Sequence, residues 1–305
     1  MPNATPTAGL HHVTAISGPP AANVAYYTGP LGQSLVKKTV NFDDPGTWHL
    51  YYGDAAGSPG TILTFFPFVN AAPGREGPGQ ALAWAYGVPK GAFDGWVGRM
   101  GAGADRISER FGARVLTLQD PHGQRLELIE GAGTGDALTG FHSVTLWVDD
   151  PAPTLRVLTD LLGYIPQGEE TDAQGGRRIR VAAASEGAPG RFVDVLQRPG
   201  APGRQGAGTI HHVAFRAQDD AHQEALREAV RAAGHRVTPQ IDRQYFNAIY
   251  FREPGGVLFE IATDPPGFAV DEAPEALGQA LKLPPQYEAH RARIEAALPP
   301  LTEAA

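Results

Sequence analysis

The stretch Gly9-Leu10-His11-His12-Val13-Thr14 returns almost unchanged 200 positions later, as Thr209-Ile210-His211-His212-Val213-Ala214. Each copy lies where a strand is expected to begin, since apolar residues flank the pair and a helix-like segment follows. The two copies hold four of the ten histidines in the chain. Imidazole is the commonest metal ligand among side chains. The pattern therefore predicts a metal site built from both ends of the chain, if the fold brings them together.

The same stretch also marks the start of an internal repeat. Gly140-Phe141-His142-Ser143-Val144-Thr145 aligns with the first copy without a gap, and Asp120-Pro121-His122-Gly123-Gln124-Arg125-Leu126-Glu127 aligns with Glu253-Pro254-Gly255-Gly256-Val257-Leu258-Phe259-Glu260. Apolar residues at helical spacing predict helices over 19–31, 93–100, 151–162 and 219–234. Compact β-branched and aromatic runs predict strands between them. The chain thus reads as four units, each with the order strand, helix, strand, strand, strand.

This order predicts an α+β fold of four βαβββ modules in two tandem domains. We expect the boundary in the Gly/Ala/Thr stretch 131–138, which gives an N-terminal domain over 1–135 and a C-terminal domain over 136–305, with two modules in each. From residue 265 onward the chain is rich in Ala, Glu and Leu and is interrupted by Pro-Pro pairs. This tail is expected to form short helices on the surface.

Composition narrows the function classes. The net charge of −8 argues against a nucleic-acid or anionic-membrane partner. The absence of cysteine excludes disulfides and thiolate metal sites, so a metal must be held by His, Asp, Glu or water. The chain shows no apolar run of membrane-spanning length, and residues 1–9 do not resemble a secretory signal. A cytoplasmic protein is therefore expected.

Comparing equivalent positions of the units selects the metal ligands. Position 12 of the first unit and position 212 of the fourth are histidines, whereas the third unit has Ser143 there and the second unit has no histidine. The fourth unit also carries Glu260 on its last strand. His12, His212 and Glu260 together match the two-histidine, one-carboxylate set of non-heme Fe(II) oxygenases. Glu127 aligns with Glu260 but lacks a partner histidine, so a salt-bridge role is favoured for it.

The chain resembles the vicinal oxygen chelate superfamily, whose fold is that of glyoxalases, bleomycin-resistance proteins and extradiol dioxygenases. Within it, the chain is most similar to hydroquinone-cleaving ring dioxygenases. The similarity runs over nearly the whole chain, and it is carried by the motifs Leu10-His11-His12-Val13-Thr14, Val36-Lys37-Lys38-Thr39-Val40-Asn41-Phe42-Asp43-Asp44-Pro45, His49-Leu50-Tyr51-Tyr52-Gly53-Asp54, Pro59-Gly60-Thr61-Ile62-Leu63-Thr64-Phe65-Phe66-Pro67, His211-His212-Val213-Ala214-Phe215, Asp242-Arg243 and the run from Tyr250 to Asp264.

The resemblance implies two glyoxalase-like domains with mixed β-sheets curved around a metal pocket. It implies Fe(II), with Mn(II) as an alternative, bound by His12, His212 and Glu260. It further implies O2-dependent opening of a para-diol ring, a small aromatic diol and O2 as partners, and no nucleic acid or membrane partner; a homo-oligomer is left open. Around the substrate it places four catalytic residues and one substrate-binding residue: His11, His211, Arg243 and Tyr250, and Thr14.

The sequence leaves open which way His11 and His211 point and which residues form the pocket wall. Adjacent strand residues point to opposite faces, so His11 and His211 should face away from a metal held by their neighbours, unless a bulge intervenes. The large apolar residues Trp48, Phe66, Phe246 and Phe251 are candidates for the pocket wall.

Two other functions compete with the dioxygenase hypothesis. A glyoxalase-type lyase or isomerase generally holds its metal with four protein ligands. A metal-free binding protein of the bleomycin-resistance kind does not need the His/His/Glu set, so bound metal would argue against it.

Overall fold

The computed structural model describes residues 5–302. Residues 1–4, which belong to the segment expected to lack a secretory signal, and residues 303–305 lie outside the described part. Over residues 5–302 there are sixteen strands and five α-helices, and all the strands and the first four helices follow the predicted four-unit order. The first unit comprises β1 (Leu10–Ser17), α1 (Pro20–Thr28), β2 (Ser34–Asn41), β3 (Asp44–Gly53) and β4 (Ile62–Pro67). The second comprises β5 (Gln80–Pro89), α2 (Phe93–Arg99), β6 (Ile107–Arg110), β7 (Ala113–Gln119) and β8 (Arg125–Gly131).

The third unit comprises β9 (Phe141–Val148), α3 (Pro151–Arg156), β10 (Ile165–Thr171), β11 (Arg177–Ala182) and β12 (Phe192–Gln197). The fourth comprises β13 (Thr209–Ala217), α4 (Asp220–Ala232), β14 (Ile241–Asp242), β15 (Phe246–Arg252) and β16 (Leu258–Pro266). Helix α3 continues as a π-helical turn over Val157–Leu161, which accounts for the longer helix predicted there. Helix α4 begins where the Asp219 carboxylate accepts a hydrogen bond from the backbone N–H of His222.

The strands form two eight-stranded mixed sheets, and each sheet combines one unit from each half of the chain. The first sheet has the order β14-β15-β16-β13-β1-β4-β3-β2, so it joins units one and four. The second has the order β10-β11-β12-β9-β5-β8-β7-β6, so it joins units two and three. In both sheets the central pair is antiparallel, as between β1 and β13. The two ends of the chain are thereby brought into one sheet, while the division at residue 135 stays a prediction.

The main hydrophobic core lies between the two sheets. Val13 and Val213 of the first sheet belong to the same buried cluster as Trp84 and Val144 of the second. The ring of Phe65 on β4 contacts that of Trp84 on β5 across the layers, with centroids 6.2 Å apart. Because alternate strand residues are used for this core, the intervening residues are free to line the opposite, concave face of each sheet. That face carries the polar side chains.

A β-bulge recurs in the first strand of every unit. Between β1 and β13, Leu10 pairs with Phe215 and His12 with Ala214, so His11 is the extra residue on its strand. In the same ladder His211 is the extra residue on β13. The second sheet repeats the arrangement, with Leu82 on β5 and His142 on β9 as the extra residues. A bulge re-aims side chains locally. The simple alternation that would turn His11 and His211 away from their neighbours therefore does not apply.

The C-terminal tail packs over the first sheet. Lys37 on β2 is fully buried and forms ion pairs with Asp271 and Glu272. Trp48 on β3 donates from Nε1 to the carbonyl of Pro299 at 2.8 Å. Short 3-10 turns and helix α5 (Arg291–Ala297) make up the rest of the tail, as the sequence predicts. Within residues 5–302, no helix combines the length and apolar character needed to cross a membrane.

Candidate metal centre

The predicted metal ligands His12, His212 and Glu260 meet on the concave face of the first sheet. Nε2 of His12 lies 3.3 Å from Nε2 of His212, and Oε2 of Glu260 lies 3.3 Å from the first nitrogen and 2.8 Å from the second. All three side chains are buried. Strand register explains the meeting: β13 lies between β1 and β16, and its Ala214 is opposite both His12 and Glu260. The small alanine leaves space above the sheet for the three longer side chains.

The donor atoms fit a divalent cation. With bonds of about 2.1 Å at right angles, ligand atoms stand about 3 Å apart. The observed separations of 2.8–3.3 Å match that spacing. Despite its closeness to both imidazoles, neither oxygen of the fully buried Glu260 carboxylate accepts a hydrogen bond from any described residue. A buried carboxylate without a donor is costly unless a cation is near it.

The protonation state of each group in the trio depends on the other two groups and on burial. Burial raises the pKa of the Glu260 carboxyl, but His12 and His212 outweigh that effect and hold the pKa well below its ordinary value. Burial also lowers the pKa of His212, although Glu260 opposes the change. An ionised carboxylate beside neutral imidazoles is the protonation state in which all three groups can bind a metal.

The first histidine of each pair contacts the second through its ring. Nδ1 of His11 lies 2.9 Å from Nδ1 of His12, and Nδ1 of His211 lies 2.7 Å from Nδ1 of His212. If Nε2 of each ligand histidine binds a metal, its Nδ1 carries the proton and donates to the neighbouring imidazole. The neighbour must then carry its own proton on Nε2. The His-His pairs thus fix both the orientation and the tautomer of the two ligands.

The trio opens into a cavity of about 420 Å³. Its walls are largely apolar and aromatic, and they include Ile16, Phe42, Phe66, Phe68, Phe246 and Leu258. Its polar lining groups, besides the trio, are Asn41, Asp43, His49, Tyr51, Gln205, His211, Arg243 and Tyr250. The volume lies in the range of small-molecule sites and suits a single aromatic ring.

Arg243 and Tyr250 form one unit in the cavity wall. Nε of Arg243 donates to the Tyr250 hydroxyl at 3.3 Å. Burial, followed by the charge of Glu260, raises the pKa of Tyr250 well above its ordinary value. The phenol therefore stays protonated, and because it accepts from Arg243 its own proton is free to point elsewhere. Tyr250 reaches the trio because it is opposite Glu260 in the ladder between β15 and β16.

The other predicted site residues are placed unequally. His211 lines the cavity, and burial, then His212, lowers its pKa to about 3, so its imidazole is neutral. His11 lies behind His12 and against the ring of Phe246, with centroids 5.2 Å apart. Thr14 is fully buried, and its hydroxyl accepts from Thr64. Neither His11 nor Thr14 belongs to the cavity lining, so a direct contact of either with a substrate stays a prediction.

A chain of polar side chains leads from the cavity into the sheet. The Tyr51 hydroxyl lies 2.9 Å from Nδ1 of His49, and Nε2 of His49 lies 2.9 Å from the Thr64 hydroxyl. Thr64 in turn donates to Thr14. The sequence analysis did not select His49 and Tyr51 as site residues. Their alternate spacing on β3 is the signal that could have paired them, but nothing in the sequence alone shows which face of that strand turns to the cavity.

Two of the four predicted wall residues are not in the wall. Phe66 and Phe246 line the cavity, as expected. Trp48 and Phe251 belong instead to the core between the sheets. The reason is strand alternation: each is adjacent to a residue that faces the cavity, His49 and Tyr250 respectively.

The corresponding place in the second sheet holds ion pairs. Glu127 is opposite Ala85 on β5, as Glu260 is opposite Ala214 on β13. Arg110 binds both oxygens of Glu127 at 2.7 Å. The salt-bridge interpretation of Glu127 is confirmed, because a carboxylate held by a bidentate arginine is not free to bind a metal.

Comparison with known proteins places this geometry in context. The model of the glyoxalase/bleomycin resistance protein/dioxygenase superfamily matches residues 140–261. The "Putative ring-cleaving dioxygenase MhqO" of Bacillus subtilis (strain 168) is 46% identical over 309 residues, covering 96% of each chain. The "Chlorohydroquinone/hydroquinone 1,2-dioxygenase" of Sphingobium indicum is 35% identical over 303 residues, covering 92% of each chain.

Solved structures show the same fold. A crystal structure titled "putative dioxygenase" from Bacillus subtilis is 44% identical and superposes with a TM-score of 0.90, covering 99% of this chain and 100% of that one. Glyoxalase I from Zea mays superposes with a TM-score of 0.62 at 16% identity, covering 84% of this chain and 92% of that one. The second likeness concerns the fold alone. Together they confirm the predicted α+β architecture.

Proposed function

Because the chain belongs to the glyoxalase/bleomycin resistance protein/dioxygenase superfamily, we propose that it is a metal-dependent, extradiol-type ring-cleaving dioxygenase that opens a hydroquinone with O2. The observation that carries the proposal is the buried trio of His12, His212 and Glu260 at the floor of an aromatic-walled cavity. Two relatives that align over more than nine-tenths of their length with this chain support it: one bears the name of a ring-cleaving dioxygenase, and the other that of a chlorohydroquinone/hydroquinone dioxygenase.

The cavity supports a single-ring substrate. Phe66 and Phe246 supply aromatic walls, and Phe246 packs directly on the ring of His12, with centroids 5.0 Å apart. A ring held against Phe246 presents a hydroxyl toward the trio. The apolar walls also exclude water, which strengthens the hydrogen bonds formed inside.

Three donors line the cavity beside the trio, where we expect negative charge to develop on the substrate. Tyr250 retains its proton, Arg243 is positively charged, and the tautomer set by His212 leaves a proton on Nε2 of His211. Such preorganised donors stabilise an oxyanion most effectively in a water-poor site. His211, being neutral, can also pass a proton to or from the substrate hydroxyl.

The proposed metal is Fe(II), with Mn(II) as the alternative. When bound, it would supply the redox chemistry that allows O2 to react with an electron-rich ring. A cytoplasmic location and an assembly beyond one chain stay predictions from the sequence.

The test is O2 consumption by protein loaded anaerobically with Fe(II). We expect uptake with methylhydroquinone or chlorohydroquinone, together with loss of the aromatic absorbance. Uptake with catechols but not with hydroquinones would overturn the para-diol assignment. Protein of the Tyr250→Phe variant, which retains the metal ligands, serves as the control for uncatalysed oxidation.

The number of candidate ligands argues against the glyoxalase-type alternative, because such enzymes generally hold their metal with four protein ligands. Within residues 5–302, the group of donor atoms at this site has three members, from His12, His212 and Glu260. Turnover of a thiol-aldehyde adduct without O2 would favour the lyase or isomerase. Purified protein that binds neither Fe(II) nor Mn(II) would favour the metal-free binding function.

A further inference from the structure

The chain reverses sharply at Gln244, the residue that follows Arg243 of the cavity wall. Gln244 has a φ of 68°, in the left-handed region. The backbone N–H of Tyr245 donates to the carbonyl of Arg243 at 2.8 Å, which closes a γ-turn centred on Gln244. A γ-turn with positive φ is rare and strained. Strain of this kind persists only where surrounding contacts impose it, and it is concentrated at functional sites.

The contacts that impose the turn come from the C-terminal tail. Oδ2 of Asp271 accepts hydrogen bonds from Nε2 of Gln244 at 2.7 Å and from the Tyr245 hydroxyl at 3.1 Å. The amide oxygen of Gln244 is buried without a partner, so the bond to Asp271 is the one hydrogen bond of this side chain within residues 5–302. Lys37, which is fully buried, donates to the other oxygen of Asp271 at 2.6 Å. One carboxylate of the tail thus ties the turn to β2.

The side-chain contacts of Arg243 are too long to fix its orientation by themselves. Its guanidinium donates to the Tyr250 hydroxyl at 3.3 Å and to the Asp43 carboxylate at 3.4 Å. Strong charge-assisted hydrogen bonds are about 2.7–2.9 Å long. The side chain of Asp43 is 79% exposed, so its pair with Arg243 is weak. The direction in which the guanidinium enters the cavity therefore depends mainly on the backbone at Arg243, and hence on the adjacent turn.

We propose that Asp271 is a positioning residue for Arg243: it holds the strained turn at Gln244 and thereby keeps the guanidinium beside Tyr250. Asp271 does not belong to the cavity lining, so it acts through the turn and not on a substrate. The inference rests on the proposed function, in which Arg243 stabilises negative charge on the substrate. The C-terminal tail then helps to build the site, in addition to packing on the first sheet.

The test is an NMR measurement of solvent exchange at the Nε–H group of Arg243, in the metal-free full chain. Asp271→Ala should make this exchange faster by about fivefold or more, the effect of losing a hydrogen bond. Glu272→Ala is the matched control, because Glu272 also pairs with Lys37, while its other hydrogen bonds come from backbone N–H groups of the tail. The control should change the exchange by less than about twofold.

A second variant, Gln244→Gly, keeps the test decisive even if Asp271→Ala fails to fold. Glycine adopts positive φ without strain, so the variant should fold with the pair of Asp271 and Lys37 intact. It lacks the amide that binds Asp271, so exchange at Arg243 should again be faster by about fivefold. Unchanged exchange in Gln244→Gly, or exchange as fast in Glu272→Ala as in Asp271→Ala, would overturn the proposal.

O2 uptake with methylhydroquinone supplies a readout that a merely structural role would not give. Asp271→Ala should lower kcat by about tenfold, because the donor at Arg243 is misplaced. In an Arg243→Gln background it should lower kcat no further, since Asp271 acts through Arg243. A further tenfold loss in that background would contradict the proposal. Absence of uptake by the unsubstituted protein would instead refute the proposed function, and the exchange measurement would still decide the role of Asp271.

Discussion

Glu260 and Glu127 occupy equivalent positions in the repeat, and we expect the same substitution at each to have opposite consequences. Glu260→Gln removes one of the three candidate ligand atoms in the first sheet. Four-ligand structural zinc sites bind with about 10–16 kcal/mol, or about 3 kcal/mol per ligand, so the metal affinity should fall by about a hundredfold. Glu127→Gln changes the same chemical group in the other sheet, so metal binding should be unchanged.

The free energy of unfolding should rank the two variants the other way: Glu127→Gln should destabilise the protein more than Glu260→Gln. Glu127 accepts two hydrogen bonds from Arg110, which is 7% exposed. Removing that charge leaves a buried guanidinium with Asp194 at 3.8 Å as its nearest remaining carboxylate. Breaking a buried pair in this way costs about 3–5 kcal/mol. At Glu260 the neighbours are two imidazoles, which can release a proton and become neutral, so the metal-free Glu260→Gln protein is left with no obligatory buried charge and should lose less.

The assays are competition with a chelator of known affinity for metal binding, and urea unfolding of the metal-free proteins for stability. Both variants should keep the wild-type urea dependence, since the surface exposed on unfolding is unchanged. Retention of full metal affinity by Glu260→Gln, or equal loss of metal by Glu127→Gln, would refute the assignment of the ligand trio.

Three further outcomes are expected. Burial, then Arg180, lowers the pKa of His142 to about 4. Below pH 6.5, the ordinary pKa of histidine, the unfolded chain therefore binds more protons than the folded protein, and the free energy of unfolding decreases as the pH is lowered from about 6.5 to about 4. Urea unfolding should show that the His142→Gln variant loses less free energy of unfolding between pH 7.5 and pH 5 than the unsubstituted protein, by up to about 2 kcal/mol. An equal loss in the two proteins would contradict this. Arg243→Lys loses the planar donor to Tyr250 and should lower kcat by about tenfold to a hundredfold in O2-uptake assays, with metal content unchanged. Phe215→Ala, at a fully buried ring that contacts Phe259, should destabilise the fold by about 3–5 kcal/mol in urea, and a loss below about 1 kcal/mol would show that the core tolerates the cavity.

The sequence was sufficient to predict the four units, and to select His12, His212 and Glu260 as candidate ligands, because both steps depend on local pattern. The strand and helix spacing follows from side-chain periodicity, and comparison of equivalent positions needs no coordinates. His12, His212 and Glu260 were chosen in this way, and the structure brings their donor atoms within 3.3 Å of one another.

Other features depended on which face of a strand a residue occupies. A bulge shifts the alternation by one residue, and it is defined by pairing with another strand, so the sequence could not decide the orientation of His11 and His211. The same dependence placed His49 in the cavity wall and its neighbour Trp48 in the core.

The residue pattern alone shows that two His-His-Val copies lie 200 positions apart, and it predicts that one histidine of each copy joins Glu260 as a metal ligand. The pairing of units one and four in one sheet, and of units two and three in the other, becomes visible only in the folded chain. The same holds for the second sheet, which carries buried arginine–carboxylate pairs where the first sheet has the trio. The physical reason is that sheet partners are set by backbone pairing and core packing over long separations, which no local pattern encodes.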